Sequence, residues 1–93
     1  MDAEIPLAAF RAAKSYGRTF TEIRVYQNRV EEEWRILLHV KSRSWPLRDI
    51  ARLRTLESKS VSAATTIGTG AFCYRFRKKG EAREFYDLVS SLL

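Results

Sequence analysis

Between Thr19 and Arg77 apolar and polar side chains alternate with a period of two. That spacing puts successive residues on opposite faces of a strand, so the middle of the chain is restricted to sheet. Thr21, Ile23 and Val25 share one side of a first strand, and Phe20, Glu22, Arg24 and Tyr26 share the other. Gln27-Asn28 follows as a tight turn, because asparagine tolerates positive φ. Beyond it Val30, Trp34, Ile36, Leu38 and Val40 keep one parity, and Arg29, Glu31, Glu33, Arg35, His39 and Lys41 keep the other. The spacing predicts one long amphipathic strand, bent near Glu32, whose charge interrupts the apolar side.

The stretch Ser44-Trp45-Pro46-Leu47-Arg48-Asp49-Ile50 breaks the alternation. Pro46 has no N–H to donate and marks a sheet edge or corner. Alternation resumes from Ile50 to Leu56, with Ala51, Leu53 and Thr55 on one side and Arg52 and Arg54 on the other. Val61, Thr65, Thr66 and Ile67 predict a further strand, and Gly68-Thr69-Gly70 the turn after it. In Ala71 to Arg77, Phe72, Tyr74 and Phe76 alternate with Cys73, Arg75 and Arg77.

Both ends read as helix. Over residues 5–16, Pro6 suits a first turn and Ala8, Ala9, Ala12 and Ala13 have high helix propensity, with Gly17 placed for a C-terminal cap. Over residues 81–93, Ala82, Phe85, Val89 and Leu92 form one apolar stripe, and Glu81 and Glu84 suit the positive end of the helix dipole. The expected fold class is therefore α+β. A short N-terminal helix precedes an antiparallel meander or partly closed barrel of about four to six strands over residues 19–78, capped by an amphipathic C-terminal helix. Strands that follow one another without intervening helices exclude a parallel α/β fold.

A length of 93 residues suits one domain, 1–93. Hydrophobic residues make up 45% and aromatic residues 12%, too much apolar material for a disordered chain. The net charge is +6, with twelve Arg against five Lys, and points to anionic partners. The one cysteine, Cys73, excludes an internal disulfide and a four-cysteine zinc site. The acidic start, Met1-Asp2-Ala3-Glu4, lacks the basic region of a signal peptide. No apolar run reaches the roughly 18 residues that span a bilayer. The expected location is cytoplasmic, either free or peripheral at a membrane.

An antiparallel meander closed by one amphipathic C-terminal helix resembles the pleckstrin-homology superfold, and the short bacterial versions are most similar. The residues that carry the likeness are Ile23-Arg24-Val25-Tyr26, a turn, a strand beginning Arg29-Val30, and the step Pro46-Leu47-Arg48-Asp49-Ile50. Later the aromatic strand Phe72-Cys73-Tyr74-Arg75-Phe76 leads into a helix beginning Glu81-Ala82-Arg83-Glu84-Phe85. The resemblance covers about residues 20–93. It implies a binding scaffold used for phosphoinositide-type headgroups, peptides or protein partners, and carries no lipid-binding motif over onto particular residues. The N-terminal helix departs from the common core of that family, and its full strand count of about seven exceeds the count expected here.

Catalytic constellations are sparse. His39 falls on the polar parity of the long strand, where a lone histidine is ordinarily solvated. Cys73 has the cationic Arg75 as its next neighbour on the same face, but only His39 as a base. Glu31 and Glu33 share a face and read as surface charges beside Arg29 and Arg35. No spacing of His, Cys or Asp matches a metal site, and Gly68-Thr69-Gly70 is too short to cradle phosphate. No enzyme activity and no cofactor are expected.

The basic groups remain. Arg75, Arg77, Lys78 and Lys79 crowd one strand end around Phe76, and Lys41, Arg43 and Trp45 combine cations with an aromatic in an expected loop. These seven residues, Phe76 apart, are the candidate ligand-binding set, with Arg52 and Arg54 sharing a face nearby in sequence. The expected function is a non-catalytic binding module that meets an anionic lipid headgroup or an acidic protein surface. Nucleic-acid binding rests on the same cations. A homodimer through the N-terminal helix or an exposed strand edge is a third reading.

Overall fold

The computed structural model describes residues 4–12, 21–36, 38–56 and 59–93. Its elements run β1 (Ala8–Ala12), β2 (Thr21–Val25), β3 (Arg29–Ile36), β4 (His39–Pro46), β5 (Ile50–Leu56), β6 (Ser60–Thr65), β7 (Gly70–Arg75) and α1 (Lys79–Leu92). A 3₁₀ turn, Leu47–Asp49, joins β4 to β5. The strands make two antiparallel sheets, β1-β2-β3-β4 and β5-β6-β7. The chain is thus α+β, with a C-terminal helix as expected.

Several expectations fail. The helix over residues 5–16 is not formed at Ala8–Ala12, which is strand β1, paired from Ala8 opposite Val25 to Ala12 opposite Thr21. The alanines favour helix by only a few tenths of a kcal/mol each. Pairing with β2 and the docking of Phe10 against the rings of Phe76 and Phe85 outweigh that preference. Residues 13–16 of the expected helix, and the start of the sheet at 19–20, lie outside the described residues.

The long strand from Val30 to Lys41 is instead a hairpin, with β3 and β4 paired from Arg29 opposite Pro46 to Ile36 opposite His39. Lys41-Ser42-Arg43-Ser44-Trp45, expected as a loop, is the body of β4. No register shift interrupts β3 at Glu32. Glu32 keeps the parity of Val30 and Trp34 and is buried on the core face, at 1% exposure.

The strands number seven among the described residues and do not close into one curled sheet. Pro46 ends β4, the chain turns through buried Leu47, and β5 then pairs with β6 alone. The turn is pinned by the Leu47 N–H donating to the Asn28 carbonyl (2.9 Å) and the Thr66 N–H donating to the Asp49 carbonyl (2.9 Å).

One core nevertheless draws on both sheets and the helix. Ile23, Val25 and Val30 from the first sheet join Val61, Phe72 and Tyr74 from the second, with Phe76 just beyond β7 and Ala82, Phe85 and Val89 from α1. Phe85 is the hub: its ring lies 5.5 Å from Phe10, 5.9 Å from Phe72, 5.7 Å from Tyr74 and 5.4 Å from Phe76. Three of these are edge-on, the arrangement that suits the ring quadrupole. The expected helix stripe thus packs as read, with Leu92 and Leu88 partly buried beside it.

In the second sheet a bulge shifts the β5–β6 register between Ala51 and Arg54, and Arg52 takes φ 51° there. Its parity partner Arg54 therefore follows after an irregular step and not a clean alternation. No helix among the described residues is long and apolar enough to cross a membrane.

Candidate functional site

The charges sort by their partners. On the outer face of the first sheet, Arg24 in β2 lies within ion-pair distance of Glu22 (3.7 Å), Glu31 (3.8 Å) and Glu33 (3.2 Å). Arg29 at the start of β3 bonds Glu31 at 2.9 Å and Glu4 at 3.1 Å. Its guanidinium also sits 4.0 Å from the Tyr26 ring centroid. Partial burial lowers the Arg24 pKa, but the hydrogen bond to Glu33 and the charges of Glu33 and Glu22 outweigh it, and the net shift is upward. Arg29 is also raised, first through its hydrogen bond to Glu31. Glu31 and Glu33, the outward-facing members of the acidic run, are therefore occupied by arginines of their own sheet.

The candidate cations have no such partners. Among the described residues, Lys41, Arg43, Arg75, Arg77, Lys78 and Lys79 are exposed and form no ion pair. They fall into two groups. Lys41 and Arg43 stand on β4, two residues apart and so on one face, with the Arg43 guanidinium 4.4 Å from the centroid of the half-buried Trp45 ring. Trp45 is an anchor and not a free stacking surface, since it packs against the core.

The second group gathers where β7 runs into α1. Arg75 ends β7 opposite Ser60, and the Phe76 N–H donates to the Lys59 carbonyl at 2.8 Å, which brings Lys59 alongside. Arg77, Lys78 and Lys79 follow, and Lys79, Gly80, Arg83 and Thr55 line an open depression of about 340 Å³. Lys59, Thr55 and Arg83 were not among the sequence-derived candidates. Strand pairing brings Thr55 and Lys59 there, which their local spacing does not signal, while the i, i+4 spacing of α1 sets Arg83 beside Lys79. Arg83 is itself engaged by Asp87, 3.3 Å away.

A second open depression, of about 350 Å³, lies on the second sheet and is lined by Arg52 and Arg54 together with Ser62, Ala64, Gly70 and Cys73. Arg54, Ser62 and Cys73 stand in one cross-strand row. Cys73 is half-buried there, and His39 is exposed on β4 of the other sheet. Phe72, Tyr74 and Phe76 are buried, so these aromatics belong to the core. Among the described residues no three His, Cys, Asp or Glu side chains are grouped to hold a metal ion.

Comparison with protein-family models, with curated proteins and with solved structures finds no match.

Proposed function

We propose that this chain is a non-catalytic binding module of pleckstrin-homology-like build that docks its free cations on an acidic surface. The build is supported by a four-stranded and a three-stranded antiparallel sheet followed by one C-terminal helix, packed on a shared core through Phe85. The observation that carries the function is the separation of charge. Glu22, Glu31, Glu33 and Glu4 are held by Arg24 and Arg29, while Lys41, Arg43, Arg75, Arg77, Lys78 and Lys79 are exposed with no carboxylate of their own among the described residues. Exposed cations without internal partners attract anionic surfaces over a range set by ionic strength.

The same cations suit nucleic-acid phosphates, but the aromatics that base stacking would use, Phe72, Tyr74 and Phe76, are in the core. An acidic protein or a lipid headgroup makes no such demand. The test is binding to phosphatidylserine-containing vesicles and to immobilised polyglutamate, each at low and high salt. Retention on either that weakens as salt rises is the expected result. No retention on both at low ionic strength would overturn the reading.

A further inference from the structure

We propose that the β3–β4 hairpin is a shallow membrane-docking arm, whose tip enters the interface of an anionic bilayer while its cations stay among the headgroups. The proposal rests on the acidic-surface reading above and commits it to a lipid surface.

Leu38 sits in the turn between β3 and β4 and is 98% exposed, the highest value among the exposed large hydrophobic residues. Tight hairpin turns ordinarily carry Gly, Asn or Asp. Here the sequence across the turn is Arg35-Ile36-Leu37-Leu38-His39, with none of them. Val40, the second residue of β4, is 56% exposed. Leu38 and Val40 thus put two large apolar side chains in water at the end of the hairpin.

The body of the arm agrees. Residues 39–44 of β4 are all exposed, so both faces of this part of the strand are open to solvent. Arg35, Lys41 and Arg43 are exposed along it and form no ion pair among the described residues. Arg43 stacks on Trp45 at the root. An apolar tip with cations behind it matches the order of a bilayer read outward from its core, acyl chains and then phosphates.

The depth is limited by the backbone. β4 is the edge of its sheet, so its outer N–H and C=O groups have no strand to pair with among the described residues. Hydrocarbon cannot satisfy those groups. Only the tip enters, to about 5–10 Å, as interfacial segments do. A second copy of the chain is a poorer occupant. Antiparallel pairing of two β4 strands about Ser42 sets Lys41 against Arg43 twice, and like charges opposite one another disfavour pairing.

The test uses the full chain with phosphatidylcholine vesicles, with and without phosphatidylserine. Leu38 is solvated, so Leu38→Trp and Leu38→Ser leave the fold intact. On anionic vesicles, Leu38→Trp gives blue-shifted emission that brominated acyl chains quench, and soluble polyglutamate gives no shift. Leu38→Ser lowers partitioning about tenfold, the loss of one buried leucine. Lys41→Gln and Arg43→Gln each lower it about fivefold. If Leu38→Ser and Leu38→Trp change nothing while the cation variants still weaken binding, the arm is not inserted and the acidic-surface reading stands alone. If the protein binds polyglutamate and not vesicles, the partner is an acidic protein and the membrane arm is wrong. If neither is bound, both readings fall.

Discussion

The ring of Phe10 in β1 meets the ring of Phe85 in α1 at a centroid distance of 5.5 Å and an interplanar angle of 84°. This contact ties the first strand of the four-stranded sheet to the helix that follows the second sheet. Removing the hub ring strips four aromatic partners at once. Phe85→Ala is expected to cost about 3–5 kcal/mol, measured by urea denaturation, and Phe85→Leu clearly less. An equal, small loss for both would mean that the helix is not seated on the core.

Thr21 opens β2 opposite Ala12, fully buried, and its hydroxyl has no hydrogen-bond partner among the described residues. A buried hydroxyl without a partner carries an uncompensated desolvation cost. Thr21→Val keeps the branched shape and is expected to raise stability by about 1 kcal/mol. Differential scanning calorimetry reads the change as a higher Tm. A lower Tm would show that the hydroxyl is used.

Arg52 holds φ 51° at the bulge in β5. A side chain in the left-handed region costs about 1 kcal/mol, which glycine avoids. Arg52→Gly is expected to be neutral or slightly stabilising by thermal melting, and Arg52→Val destabilising, because a β-branched residue fits that region worst. Equal melts for the two variants would place the strain elsewhere.

The Arg24 guanidinium lies 3.2 Å from Glu33 at the protein surface. Its pKa is raised in the fold, so the associated stability is present below the ordinary guanidinium value and is lost only as pH climbs past the raised one. Around neutral pH the Arg24 titration therefore contributes no pH dependence. Glu33→Gln is expected to cost less than about 1 kcal/mol, shrinking as salt is added. A loss of several kcal/mol that salt does not reduce would contradict a screened surface pair.

The parts of the fold legible in the sequence are those where alternation and burial agree. Ile23 and Val25, the aromatic run of β7, and the Ala82, Phe85 and Val89 stripe all point to the core as read. The β3–β4 turn was hidden because Leu38 and Val40 continue the apolar parity of Val30 and Trp34 across it. β1 was hidden by its alanines, whose helix preference is local, while the pairing that decides their state lies about a dozen residues away in β2. Of the candidate site, the cations were legible as residues and their grouping was not. The break in alternation after Lys41 reads as a loop, yet Lys41 and Arg43 stand on a strand, and Lys59 meets the Arg75 cluster through the Phe76 N–H bond to its carbonyl.

Charge reversal of the two free groups tests the central claim most directly. The measurement is the binding constant of Lys41→Glu/Arg43→Glu and of Arg77→Glu/Lys78→Glu/Lys79→Glu on the anionic surface that retains the natural chain, across a salt series. Weaker binding and a shallower salt dependence for at least one set, with urea stability unchanged, is the predicted result. Binding by both variants equal to that of the natural chain at every salt concentration would contradict it.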